Sequence, residues 1–246
     1  MNIIDTHVHL QDFTSENVKD VIISSHGVGI EKFICVSAKS EDWSKIEKLI
    51  HKYPKKILPA FGIHPWYAKD GKKNWSGELE NMLKKYPEAL VGETGLDGYK
   101  DPDGQIEVFE RQLFLAHKYN RPIIIHCVKS QNWFENNWRL LPEKFVFHSY
   151  NGKKEFLKEI TAHNGYVSFS FSVLQNKELA ELVNLVPIHK ILLETDSPYQ
   201  SFEKNRDNEP ALLPFLVKEI AKIRGMPLNE FSRQIYNNSL EFIKVG

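Results

Sequence analysis

The chain is poor in cysteine, has no excess of either charge and contains no long apolar run, and each shortage removes a class of function. Only two of its 246 residues are cysteine, Cys35 and Cys127, too few for a disulfide framework and at no spacing that makes a Cys-rich metal site. Lys plus Arg and Asp plus Glu stand at 32 each, a formal net charge of +0, so there is no broad basic coat of the kind that tracks duplex nucleic acid. Any polyanion must be drawn in locally. No apolar stretch approaches the roughly 18 residues of a membrane span, and no low-complexity linker divides the chain. The opening MNIIDTHVHL lacks the charged and long apolar regions of a secretory leader. These absences predict one globular domain over residues 1–246 in a reducing cytoplasm, with no membrane contact and no obligate protein partner.

What the chain does have is alternation. Eight short apolar runs, NIIDTHVH, KFICVSA, ILPAFGIH, ALVGETGLD, PIIIHC, KFVFHSY, GYVSFSF and KILLETDSP, are separated by stretches with helical spacing. In EDWSKIEKLIHKY the apolar set is Trp43, Ile46, Leu49 and Ile50, and in IEVFERQLFLAHKY it is Phe109, Leu113 and Ala116, each a stripe of about 3.6-residue period. Eight such units predict an α/β fold, a single (β/α)8 TIM barrel whose functional groups stand at the C-terminal mouth of the strands.

The strand ends carry an unusual set of residues. In IIDTHVHL the period of two places Asp5, His7 and His9 on one face and Thr6 and Val8 on the other. Strand three ends in His64, strand four in Glu93, strand five in His126, strand six in His148 and strand eight in Glu194 and Asp196. Each alone has an ordinary explanation: His64 and His148 as loop-edge histidines, Glu93 as a helix-facing acid, Asp196 as a cap before Ser197-Pro198. Crowded into one mouth without cations they would leave many polar groups to be desolvated and paired, and metal ions remove that difficulty. His26, His51, His117, His163 and His189 lie on helices or their loops and are read as ordinary surface or capping residues.

The set exceeds the three or so protein ligands of one catalytic zinc, so it predicts two ions. Glu93 would bridge one ion held by His7, His9 and Asp196 to a second held by His126 and His148. Two divalent ions, two carboxylates and a bridging hydroxide leave a charge of about +1, a sign that suits a phosphate ester. Zinc, manganese, cobalt or magnesium could serve, since His with carboxylate does not select among such ions. Glu194 is read as an orienting acid or a ligand of an additional ion, and Asp5 as an acid that orients His7. Cys127 is expected to face the helices.

In order along the chain, DTHVHL, GIHPW, VGETGLD, RPIIIHC, FHSYNG, LLETDSPY and RDNEP together resemble the TatD-related metal-dependent hydrolases of the amidohydrolase-like barrels. That resemblance spans the chain. It implies divalent-metal ligands at His7, His9, Glu93, His126, His148 and Asp196, a loop histidine at His64, and hydrolysis of phosphodiesters, typically as a 3′→5′ exodeoxyribonuclease. On it, Asp196 would orient or deprotonate the nucleophile and His64 would contact the phosphate or the leaving oxygen. DNA, as single strands or frayed ends, is the expected substrate. Lys100, Lys129, Lys204 and Arg206 would meet its phosphates and Trp66, Tyr67 and Tyr99 its bases. GLDGYKDPDG and SPYQSFEKNRDNEP depart from the family's usual loops at the mouth, where loops choose substrates. The alternatives are an amide or ester hydrolase of the same barrel class, for example an aminoacyl-tRNA deacylase, and a metal-binding scaffold without catalysis. A glutamate rather than a modified lysine on strand four weighs against the cyclic-amide branch.

Overall fold

The computed structural model describes residues 1–69, 74–99, 102–202 and 207–245, with 102 and 103 by backbone alone; Lys100, Lys204 and Arg206 lie outside the described residues. Eight strands, β1 (Ile3–Val8), β2 (Ile30–Val36), β3 (Ile57–Phe61), β4 (Leu90–Asp97), β5 (Ile123–Val128), β6 (Phe145–Phe147), β7 (Tyr166–Phe169) and β8 (Ile191–Leu193), lie in sequence order in one sheet. Every neighbouring pair is parallel. Just past the strands the circle is drawn shut, where Asp196 N donates to His7 O at 2.9 Å and His9 N to Ser197 O at 2.8 Å. This is the expected barrel.

Two apolar layers result from strands buried on both faces. In PIIIHC, Ile124 points into the barrel with Ile4, Ile34, Leu90, Val146 and Leu192, while Ile123 and Ile125 join the outer layer under the helices. Helix α10 (Leu228–Ile243) closes the underside, Phe242 entering the inner cluster. On the outside, α2 (Ser40–Lys52) starts where Asp42 Oδ2 accepts the N–H groups of Ala38 and Lys39, each at 3.2 Å. It buries Trp43, Ile46 and Leu49, each worth about 1.5–3 kcal/mol. Helix α4 (Pro102–Lys118) buries Phe109, Leu113 and Ala116 as its spacing predicts. No helix among the described residues is long and apolar enough to cross a membrane.

The period of two holds where β5, β6 and β8 approach the mouth: Ile124 leads to His126, Val146 to His148, Leu192 to Glu194 and Asp196. It breaks in β1 and β4. Four residues of β1, from Asp5 to Val8, match three of β2, from Phe33 to Cys35, and four of β4, from Val91 to Thr94, match three of β5, from Ile123 to Ile125. Each extra residue is a bulge that turns the following side chains over, so inward Ile4 is followed three residues later by inward His7, and Leu90 by Glu93. The glycines of VGETG permit this in β4: Gly92 has φ +152° and Gly95 φ +143°, and a Cβ on either would collide with β5. One expectation fails as a result. Asp5 stands before the β1 bulge and does not share the face of His7 and His9.

Candidate metal centre at the barrel mouth

All seven expected site residues meet in one place. His9, His64, Glu93, His126, His148 and Asp196 line a cleft of about 400 Å³, and His7 lies fully buried at its floor. On one side His7 Nε2 and His9 Nε2 stand 3.2 Å apart. Glu93 Oε2 is 3.3 and 3.6 Å from them, and Asp196 Oδ1 is 3.4 and 3.3 Å. Five edges of a four-atom cage are therefore between 3.2 and 3.6 Å, and a regular tetrahedron of that edge has its centre about 2.0–2.2 Å from each corner, the distance of a Zn–N or Zn–O bond. The donor set fits a metal ion in size as well as in chemistry.

On the other side the acceptor is the second oxygen of the same carboxylate. Glu93 Oε1 lies 2.8 Å from His148 Nε2, 3.1 Å from His126 Nδ1 and 3.3 Å from His64 Nε2. His64 departs from the other rings in one respect: its Nδ1 accepts the backbone N–H of Trp66 at 3.1 Å, so in the neutral ring the proton sits on Nε2, which faces the cleft as a donor. A metal ligand needs a lone pair there. The His64 loop is positioned by α4, whose Gln112 accepts Ile63 N at 2.7 Å and donates to Ile63 O at 3.1 Å.

Four further residues hold the candidate ligands in place: Glu194, expected as an orienting acid or a ligand of an additional ion, and Asp97, Gln200 and Gln11, for which the sequence suggested no role. Asp97 Oδ2 takes His126 Nε2 at 3.2 Å and the indole N–H of Trp66 at 2.6 Å, leaving His126 Nδ1 for the cleft. Glu194 Oε1 accepts Ser149 N at 2.7 Å and contacts His148 Nδ1 at 3.2 Å, so it orients His148. Gln200 Nε2 donates to Asp196 Oδ2 at 2.5 Å, which leaves Oδ1 toward the two histidines. Gln11 Nε2 donates to Val36 O at 3.0 Å and lies 3.3 Å from His9 Nδ1, while the Cys35 thiol donates to Gln11 Oε1 at 3.2 Å. Asp5 meets His7 through the backbone and not the ring: its carboxylate accepts Thr195 N, the Thr195 hydroxyl and the backbone N–H of His7. His7 Nδ1 and Glu194 Oε2 are buried without a hydrogen-bond partner among the described residues. Cys127 is half-buried; it packs on the outer core yet also lines the cleft.

The field of the cleft is that of a cation site. Burial drives Glu93 toward neutrality, but the rings of His148, His64 and His7 overcome it and hold the carboxyl well below its ordinary range. Burial likewise opposes charge on His148, and Glu93 and Glu194 override it so that the ring is held well above its usual value. His9 and His126 are raised in the same way, by Asp196 and Glu93 and by Asp97 and Glu93. In His64 burial wins and the ring is lowered. Carboxylates that force protons onto buried imidazoles exert the same pull on a divalent ion. The other histidines are elsewhere: His26 and His117 bond backbone carbonyls, and His163 stacks on Trp138.

The family model for TatD related DNase matches residues 4–244. The chain belongs to the TatD-related DNase family. Among curated members, a protein named an uncharacterized metal-dependent hydrolase from Buchnera aphidicola is 28% identical, over 93% of this chain and 94% of its own. A protein named 3′-5′ ssDNA/RNA exonuclease TatD from Erwinia tasmaniensis is 26% identical, over 89% and 90%. The crystal structure of a TatD homolog from Escherichia coli superimposes with a TM-score of 0.90 at 22% identity, covering 98% of this chain and 97% of that one. The barrel is thus the fold of TatD homologs.

Proposed function

We propose that this TatD-family protein is a divalent-metal-dependent phosphodiesterase that removes nucleotides from the 3′ ends of single-stranded or frayed DNA. The observation that carries the reading is the division of Glu93: one oxygen serves the His7–His9–Asp196 group and the other the His126–His148 group. His7, His9, Asp196 and Glu93 Oε2 would hold one ion, and His126, His148 and Glu93 Oε1 a second, of zinc, manganese, cobalt or magnesium. When bound, such a pair polarises a phosphoryl oxygen and lowers the pKa of water toward neutrality. The name of the Erwinia relative supports a nucleic-acid substrate with a free 3′ end.

The chain's own residues supply the rest. Asp196, fixed by Gln200, accepts or steers the proton of the attacking water. His64 presents Nε2–H to the phosphate or the leaving oxygen. Glu194 and Asp97 set the rings of His148 and His126, Glu194 through Oε1, which Ser149 and His148 engage. Residues 1–246 act as one catalytic domain, and a free thiol pair in Cys35 and Cys127 agrees with a cytoplasmic location. The test is turnover of metal-loaded protein on 3′-labelled single strands, blunt duplex, RNA and sealed circular single-stranded DNA. Release of mononucleotides from open strands, with circles intact, supports the proposal. Cleavage of circles removes the exonuclease assignment, and rapid ester or amide hydrolysis without DNA cleavage replaces it.

A further inference from the structure

Building on that nuclease assignment, we propose that Trp66 is the platform on which the nucleobase beside the scissile phosphate stacks, held for that purpose by the same carboxylate that orients His126. Trp66 sits in the short 3-10 turn Pro65–Tyr67, whose first residues are tied to His64: Trp66 N donates to His64 Nδ1 at 3.1 Å and Tyr67 N to His64 O at 2.9 Å. The indole N–H is directed inward to Asp97 Oδ2 at 2.6 Å. Asp97 is itself 3% exposed and immobilised, its Oδ1 by Tyr99 N at 2.9 Å and its own N–H by Gln105 Oε1 at 2.8 Å. The ring nevertheless remains 55% exposed and lines the cleft, with its centroid 5.1 Å from that of His64 at an interplanar angle of 84°. An aromatic ring anchored at its polar edge is ordered before the ligand arrives, so little conformational entropy is lost on binding, and covering what apolar area it exposes with a base is favourable.

One other rim aromatic, Tyr199, is less suited. Tyr199 donates its hydroxyl to Asp12 at 3.0 Å and packs against His9 at 5.3 Å between centroids, across the cleft beside the other donor group. Because Trp66 adjoins His64, which points its donor at the reacting phosphate, the base it takes is the one next to the cleaved bond. A base paired inside a duplex cannot reach such a plane, so Trp66 selects an unpaired end. The recognised chemistry is a π-face and not a particular base, which makes the subsite tolerant of sequence.

The test compares wild type, Trp66→Leu and Trp66→Phe, all metal-loaded, on a single-stranded oligonucleotide and on the same oligonucleotide carrying abasic residues at its two 3′-terminal positions, with metal content measured in parallel. Stacking of one base supplies about 5- to 140-fold in affinity. Trp66→Leu should therefore raise KM on the normal strand by a factor in that range and leave kcat within a few-fold. It should change the abasic strand little and retain its metal. Trp66→Phe, which keeps a ring, should restore most of the KM. An unchanged ratio of normal to abasic KM in Trp66→Leu would overturn the platform while leaving the nuclease assignment standing. Failure of the wild type to cleave either strand would overturn both.

Discussion

His64 Nδ1 accepts the backbone N–H of Trp66 at 3.1 Å, and that bond decides what the other nitrogen of the ring can do. Geometry alone would admit His64 to the second donor group, since its Nε2 is 3.2 Å from His126 Nδ1 and His64, Glu93 and His126 each place a donor atom within 4.8 Å of the others. The tautomer excludes it, because a protonated Nε2 has no lone pair for a metal. His64→Ala should therefore leave the metal stoichiometry unchanged and lower kcat by about 100-fold or more if the ring donates a proton. Metal analysis and single-turnover kinetics decide between the roles, and loss of an ion in this variant would make His64 a ligand.

Glu93 is the one carboxylate shared by both groups. Glu93→Gln keeps the shape and removes the charge, so occupancy should fall from two ions to one or none, while circular dichroism shows the barrel intact. Two ions bound at wild-type affinity would contradict the bridge.

Asp97 touches no proposed ion, yet it fixes which nitrogen of His126 faces the cleft. Asp97→Asn offers an N–H2 group that can meet His126 Nε2, which turns the tautomer. The expected result is a loss of about 10- to 100-fold in affinity for the second ion, measured by competition with a chelating dye, with the first ion retained. Equal loss of both ions would point to general disorder of the cleft.

Much of this site was legible because the barrel collects strand ends. The six proposed ligands were readable from β1, β4, β5, β6 and the segment after β8 without knowing any contact, since closure alone brings those ends together. Of the orienting residues only Glu194 was. Gln200 reaches Asp196 from a loop, and Gln11 meets Cys35 across two strands, so no local pattern announces either. Asp97 lies on the same strand as Glu93, four residues on, and past the bulge between Val91 and Thr94 the register is regular, so period two counted from Glu93 would have found it. Gly92 and Gly95 were a usable signal of that irregularity. In IIDTHV no glycine marks the β1 bulge, and for that reason Asp5 was placed on the face of the His7 ring when its carboxylate serves Thr195 and the His7 backbone.

Removal of metal should make stability depend on pH. In the metal-free cleft His148 is held well above, and His9 and His126 above, the ordinary histidine value, and burial raises the Asp5 carboxyl to about 7. A group whose folded pKa is raised stabilises the fold below its unfolded pKa and loses that contribution as pH rises through the folded one. For Asp5 the loss runs from about 4 to about 7, and for the histidines it begins near 6.5 and runs upward. The lowered His64 works in the opposite sense below 6.5, but one ring stands against four groups. Chelated protein should thus melt at progressively lower temperature from pH 6 to pH 9. Metal-loaded protein should hold its Tm, because ions replace the protons and bind more tightly as pH rises. Scanning calorimetry of both forms across that range checks this, and parallel curves would show that the cleft does not bind the ions.

Affinity for single strands should depend only weakly on salt. The chain is neutral overall, so phosphates are met at the mouth by the cleft itself and by few side chains. Among the described residues Lys129 stands there, its ammonium over Tyr99. If two or three phosphates are neutralised by side chains, the slope of log affinity against log salt is about −1.4 to −2, from roughly −0.7 per phosphate on a single strand. Base stacking does not release counterions, so the Trp66 contribution should survive at high salt while the phosphate contribution declines. Binding measured from 50 to 300 mM salt on normal and abasic strands separates the two: both should show the same slope, displaced by a constant factor. A slope steeper than about −4 would require a tracking basic surface, which the balanced charge of this chain does not provide.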